Sequence, residues 1–238
     1  GCQRMLFLRA ERYQTARLLL GITVERAAEA HVVLLLKNAA EAALAADIKA
    51  KVAEHGRLTM SVFHLNQGQT TADVSVINAT SGQSDVALFD VGRGNGKADF
   101  RLENICAAPF SGGQLTTRCM LYDQAKSRIQ AVPVIVPDAH DTSNHLDQMS
   151  ILFSPHARAE SVPLLSVSNN AVSASHRSSI ARLGDEDVFY FNTRGISRRE
   201  AEKLYLSGFL GEVSRQIPVG SIAGCTAEAV HHFLEDVV

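Results

Sequence analysis

The residue pattern of this chain changes from strand-like to helix-like between His176 and Asp185. The segment that ends at His176 alternates small residues, as a strand with two different faces does. From Leu183 onward, apolar residues recur at helical spacing between residues that favour helix ends. The pattern predicts a strand-rich core over residues 1–182 and a C-terminal helical domain over residues 183–238.

Short predicted strands alternate with turn-forming residues throughout the first region. They lie at 32–36, 47–53, 58–65, 72–77, 85–91, 115–121, 129–136, 150–153 and 164–167. Many short strands at this spacing fit a sandwich or barrel, and equally a stacked β-solenoid. No strict short repeat is apparent, so the spacing leaves both architectures open. The absence of tryptophan disfavours an immunoglobulin-type core.

Three helices are predicted in the second region. Asp185 is expected to cap the first helix, which Gly195 ends in the left-handed conformation. Ser197 and Glu200 form a capping box for the second helix. The predicted apolar face of that helix comprises Ala201, Leu204, Tyr205, Gly208, Phe209 and Val213. Pro218 and Gly220 stop it, and Thr226 is expected to cap a third helix with the apolar stripe Val230, Phe233, Leu234 and Val237.

Composition excludes several classes of function. A formal net charge of -2 without a basic tract argues against nucleic-acid binding. No apolar stretch approaches the roughly 20 residues of a membrane span, and the first residues lack a signal-peptide core. We therefore expect a soluble, cytoplasmic protein. Its four cysteines show no zinc-ligand spacing and are expected to be reduced.

Independent catalysis is not predicted. The densest set of possible metal ligands is His140, Asp141, His145 and Asp147, but a strand or turn with this spacing gives them no common face. No Gly-x-Ser-x-Gly nucleophile elbow occurs. His176 stands at the junction of strand and helix, where it is either a hydrogen-bonded structural residue or a ligand.

Residues 150–217 resemble the SufB/SufD family of iron-sulfur cluster assembly proteins, and more closely the SufD side. The resemblance rests on His176 and the Ser-Ile-Ala-Arg-Leu that follows it at 179–183, with Ile180 inside that run. It also rests on the motifs 151–154, 157–158, 163–165, 185–190, 194–196, 200–201 and 208–210.

This resemblance implies a mainly β fold, a right-handed parallel β-helix core followed by a C-terminal α-helical domain. It implies a non-enzymatic scaffold subunit that pairs through its β-helix with a SufB-like subunit or a second copy of itself. An ABC-type ATPase, SufC, is expected to dock on the C-terminal helices. No tightly bound cofactor is expected, although an iron-sulfur cluster is expected to be held transiently.

The resemblance also assigns site residues. His176 matches a histidine implicated in cluster formation, and imidazole suits iron. Ala174 stands where many SufD sequences have cysteine, and Arg177 where SufB has glutamate, so the other ligands are expected from a partner. The candidates for forming or maintaining the ATPase-docking surface are Phe189, Tyr190, Arg194, Gly195, Leu206 and Phe209.

Two alternatives remain open. One is a β-solenoid enzyme acting on polysaccharide, with Asp138, Asp141 and Asp147 as its acidic cluster. The other is a purely structural interaction module, which a buried His176 would favour. Longer family members also carry an N-terminal helical region, which either precedes Gly1 or is absent from a minimal paralogue.

Overall fold

The computed structural model describes residues 2–216 and 220–234, with side chains at 6–208, 211, 224 and 226–234. Within these ranges, fourteen strands are followed by three helices. The strands are β1 (Cys2–Ala10), β2 (Thr15–Val24), β3 (Glu29–Asn38), β4 (Ala43–Val52), β5 (Arg57–Asn66), β6 (Gln69–Asn78), β7 (Gln83–Gly92), β8 (Lys97–Cys106), β9 (Gly112–Leu121), β10 (Lys126–Ile135), β11 (Thr142–Leu152), β12 (Arg158–Pro163), β13 (Ser166–Val167) and β14 (Val172–Arg182). The helices are α1 (Asp185–Asn192), α2 (Arg198–Gln216) and α3 (Gly220–Leu234).

The strands form two parallel sheets. Sheet A has the order β1-β3-β5-β7-β9-β11-β14, and sheet B has the order β12-β10-β8-β6-β4-β2, with β13 also paired to β10. Paired residues lie about one coil apart in sequence, as in Ala30 opposite Leu58 and Thr15 opposite Ala43. Successive strands therefore alternate between the sheets, and the chain winds through about six turns. The predicted parallel β-helix is confirmed, and the sandwich is excluded.

Alternate side chains of both sheets meet inside the coil and form its main core. In β4, Leu44, Ile48 and Val52 point inward and are buried, whereas Asp47 and Lys49 face outward. Phe100 of β8 is fully buried in the same interior. Because each coil covers the apolar interior of the next, the stack buries a continuous hydrophobic core.

A turn with a left-handed residue recurs where the chain passes between sheets. Tyr13, Ala27, Glu41 and His55 have positive φ values and follow one another at 14-residue intervals. A small residue follows three of these four positions, as at Ala42 and Gly56, whose amides close the turn by hydrogen bonds to the carbonyl oxygens of Ala39 and Ala53. The structure is therefore periodic here, although the sequence shows no strict short repeat. The sequence does not reveal this 14-residue spacing, because several residue types occupy the left-handed position where glycine is the usual signal.

The first two helices begin and end close to the predicted positions. Gly184, not Asp185, is the N-cap of α1, and its amide donates to the Asp187 carboxylate at 2.9 Å. Gly195 has a φ of +74° and lies just beyond α1, as predicted. The capping box that begins α2 is confirmed, because the Ser197 amide donates to Glu200 Oε2 at 2.7 Å.

The start of α3 differs from the prediction. The helix begins at Gly220, and Thr226 lies inside it, so the expected cap at Thr226 is wrong. Threonine is tolerated within a helix, and its buried position here overrides its capping preference. Val230, Phe233 and Leu234 are buried as predicted. Pro218, Val237 and the side chain of Val213 lie outside the described residues.

The helices pack on the outer face of sheet A. Side chains from its strands form a second apolar cluster with Leu206 of α2 and Val230 and Phe233 of α3. Within the cluster, Phe63 stacks on Phe89 with ring centroids 4.8 Å apart. The helical segment therefore shares its core with the solenoid, while its treatment as a separate domain stays a prediction. None of the helices, over the described residues, is long and apolar enough to cross a membrane.

Candidate functional site at the end of the solenoid

Strand β14 forms an open edge at one end of the coil. It pairs with β11, and no strand within the described residues pairs with its other edge. Several apolar side chains are exposed in β14 and in the neighbouring segment 164–167; they are Leu164, Leu165, Val167 and Ile180. A free strand edge with exposed apolar side chains is a template for pairing with another chain.

His176 lies in the middle of this edge strand. It is paired in register with Leu146, which is itself paired with Leu115, and both leucines belong to the interior core. His176 therefore continues an inward-facing row at the end of the described stack of coils, and it is exposed. Its imidazole makes no hydrogen bond or ion pair with any described residue, so the interpretation as a hydrogen-bonded junction residue fails.

Arg177 lies on the opposite face of β14 and is tied to the preceding coil. Its guanidinium donates to both oxygens of Asp147, at 3.1 and 2.8 Å, and Arg118 donates to the same carboxylate at 2.9 Å. Hydrogen bonding to Arg177 and Arg118 lowers the pKa of Asp147. This carboxylate is therefore a poor general acid, which weakens the alternative of a polysaccharide-acting enzyme.

The possible metal ligands near this end do not converge. His140 is hydrogen-bonded to Asp141 in the turn before β11, whereas His145 is hydrogen-bonded to Ser175 on the outer face of sheet A. Within the part of the chain that the structure describes, no three His, Cys, Asp or Glu side chains come together to hold a metal ion.

A buried polar cluster inside the solenoid was not predicted. His64 contacts Asp90 Oδ1 through Nδ1 at 2.7 Å and the Thr70 hydroxyl through Nε2 at 2.8 Å. The Cys119 thiol donates to Asp90 Oδ2 at 3.5 Å. Burial, followed by the charge of Asp90, raises the pKa of Cys119 well above its usual value. Cys119 is thus held as a neutral thiol, which is a poor nucleophile.

The proposed docking residues lie in different environments. Phe189 is 70% exposed, and Tyr190 is exposed with the Arg194 guanidinium 4.4 Å from its ring centroid. Leu206 is only 4% exposed and packs in the cluster against sheet A. Gly195 provides the turn between α1 and α2. Phe209 is on α2, and its side chain lies outside the described residues.

These features define a parallel β-solenoid with one sheet covered by C-terminal helices and an exposed histidine on its last strand. The family model described as "SUF system FeS cluster assembly, SufBD core domain" matches residues 6–209. The chain belongs to this family.

Several relatives in the same family are similar to parts of the chain. The iron-sulfur cluster assembly protein SufD of Bacillus subtilis (strain 168) is 27% identical over 132 residues, covering 56% of this chain and 30% of that protein. A SufBD family protein of Mycobacterium bovis is 36% identical over 87 residues, 36% of this chain and 22% of that protein. The corresponding protein of Antithamnion sp. is 34% identical over 85 residues, 36% of this chain and 29% of that protein. The chain thus aligns with less than a third of the length of each.

Proposed function

We propose that this chain is a SufD-like scaffold subunit that meets a SufB-like partner through the open end of its solenoid. The observation that carries the proposal is the exposed His176 on the free edge of β14. Membership of the family supports a role in iron-sulfur cluster assembly. Composition favours a cytoplasmic setting, and no independent catalytic activity is proposed.

The edge of β14 offers two kinds of contact to a partner. Backbone groups of the free edge can extend sheet A by pairing with a strand of another solenoid. Ile180, Leu164 and Leu165 are exposed apolar side chains beside that edge and would be buried by the same contact. Arg177, bound to Asp147, holds β14 against β11 and so keeps the edge in position.

His176 would act at the contact between the two subunits. Its neutral imidazole carries a nitrogen lone pair that can bind iron near neutral pH. Ala174 and Ser178 flank it on the same face of β14 and supply no thiolate. The remaining ligands of a nascent cluster would therefore come from the partner, and the cluster would be cargo held transiently.

Anaerobic reconstitution tests this role. The complete chain is mixed with a SufB-type subunit, the ATPase, iron and a sulfide source, and bound iron and sulfide are measured. We expect His176→Ala to lower both at least about tenfold, because an iron ligand is lost. His145→Ala is the matched control, since His145 lies one coil away on the outer face. Equal cluster content in all three proteins would contradict the proposal.

The exposed aromatic surface of α1 is the proposed docking site for the ABC-type ATPase. Phe189 and Tyr190 offer aromatic area, and Arg194 stacks on Tyr190. Aromatic and arginine side chains are common anchors of protein interfaces. Leu206 supports this surface from below by fixing α2 on sheet A.

Titration with the ATPase tests the docking surface. Deleting the helices would uncover the apolar outer face of sheet A, so point substitutions are the cleaner test. Phe189→Ala is expected to weaken binding about tenfold or more. Phe110→Ala is the control, because Phe110 is also an exposed phenylalanine but lies in a turn of the solenoid. Unchanged affinity for Phe189→Ala and Tyr190→Ala would contradict this docking surface.

A further inference from the structure

A cavity of about 360 Å³ lies between α2 and the outer face of sheet A. Strands β9 and β11 form one wall of the cavity, and helices α1 and α2 form the opposite wall. The volume falls within the range of small-molecule binding sites. The apolar side chains that line it are Met120, Met149, Ile151, Phe191, Leu204 and Tyr205.

The walls of the cavity suit a flat aromatic molecule. Phe191 and Tyr205 contact each other edge to face, with ring centroids 6.4 Å apart. Met120 and Met149 contribute thioether groups, which adapt to a ligand and contact aromatic rings favourably. Apolar walls of aromatic rings and sulfur therefore favour a ring system over a polar or highly charged ligand.

Arg118 adds a positive charge to the same cavity. Its guanidinium donates to the carbonyl oxygens of Thr117 and Asp147 and to the Asp147 carboxylate. These hydrogen bonds fix the orientation of the guanidinium. The charge complements the electron-rich face of an aromatic ring through a cation–π interaction.

Gly208 leaves part of the cavity open. A β-carbon at this position would meet no heavy atom within 4 Å beyond its own helix and chain neighbours. Glycine within a helix costs roughly 1 kcal/mol relative to alanine. A long side chain at this position would therefore have open space beside the cavity to occupy.

We propose that this cavity binds a planar aromatic or heteroaromatic ligand of one or two fused rings, held between the methionines of sheet A and the aromatic residues of the helices. The residues that line the site do not include His176, Phe189 or Tyr190. It does not depend on the proposed role in cluster assembly.

Methyl resonances of methionine give a direct test. The chain has four methionines, of which Met120 and Met149 line the cavity, whereas Met60 belongs to the interior core. 1-Naphthol is titrated into the complete chain labelled with ¹³C at the methionine methyl groups. We expect ring-current shifts at Met120 and Met149, little change at Met60, and a Kd below about 1 mM.

Three substitutions make the result specific. Gly208→Leu fills the cavity while improving helix propensity, so it should fold and weaken 1-naphthol binding at least about tenfold. Gly208→Ala leaves most of the space and should bind like the parent chain. Ile180→Ser removes an apolar side chain from the open end and should leave binding unchanged. Equal shifts at Met60, or unchanged binding by a folded Gly208→Leu chain, would overturn the proposal, as would no binding below about 1 mM.

Discussion

Cys119 and His176 both occupy inward-facing positions on sheet A, yet Cys119 is buried and His176 is exposed. Cys119 on β9 has a strand on each side, is 2% exposed and donates its thiol proton to Asp90. His176 on β14 is exposed, and among the described strands only β11 pairs with β14. An adjacent coil covers Cys119, whereas no further coil of the described residues covers His176. Position along the stack, more than residue type, therefore determines which reactive group a partner can reach.

The largest expected contrast concerns apolar packing in the middle and at the end of the stack. Phe100→Ala should cost about 3–5 kcal/mol of unfolding free energy, because Phe100 is fully buried. Ile180→Ala should cost less than about 0.5 kcal/mol, because Ile180 is about half exposed. Urea unfolding of the isolated chain measures both. Similar losses would mean that the last coil is not open.

The buried polar cluster should show the next largest effect. Asp90→Ala removes the partner of both His64 and Cys119, so it should destabilise the chain by about 3 kcal/mol. Asp85→Ala breaks an exposed ion pair with Arg57 and should cost less than about 1 kcal/mol. Chemical denaturation again provides the measurement, and equal losses would indicate that the interior cluster is hydrated.

Thiol reactivity sharpens the same comparison. Burial raises the pKa of both Cys106 and Cys119, so each should react with iodoacetamide at least about 100-fold more slowly than a free thiol. Cys2 and Cys225 are replaced by serine beforehand, so that only the two buried thiols are measured. Ile180→Cys in that background should react at nearly the free-thiol rate. Fast modification of the background chain under native conditions would contradict the closed interior.

A smaller, pH-dependent effect is expected where β14 is held to β11. The pKa of Asp147 is lowered in the folded chain, so its ion pairs stabilise the chain above the unfolded pKa and are lost as the pH falls through the folded pKa. Asp147→Asn should cost less than about 1 kcal/mol at pH 7. The difference from the parent chain should shrink below about pH 4. Thermal unfolding at several pH values checks this, and a difference independent of pH would exclude the ion pairs as its cause.

The helix ends could be predicted from local residue spacing, whereas the side-chain contacts between coils could not. The capping box of Ser197 and Glu200 joins residues three positions apart, and Gly195 acts through its own backbone. Asp90, in contrast, meets His64 and Cys119 only because successive coils stack. Nothing in the sequence near any of the three indicates this contact.

For the candidate site, likewise, the sequence predicts which residues to consider but not how exposed each one is. The resemblance identifies His176, but its exposure depends on the edge of β14, with which no further strand of the described residues pairs. The resemblance also places Leu206 among the docking residues, although it packs beneath them. Spacing along a helix does not reveal which of its faces meets a sheet, because that choice is made by tertiary packing.

Hydrogen exchange of β14 tests the central claim most directly. Amide exchange of the complete chain is compared alone and in an anaerobic complex with a SufB-type subunit, without the ATPase. We predict that amides of 172–182 on the free edge exchange at least about tenfold more slowly in the complex, because they gain interstrand hydrogen bonds. Amides of α1 should be unaffected. A stable complex in which β14 exchanges at its original rate would contradict the account.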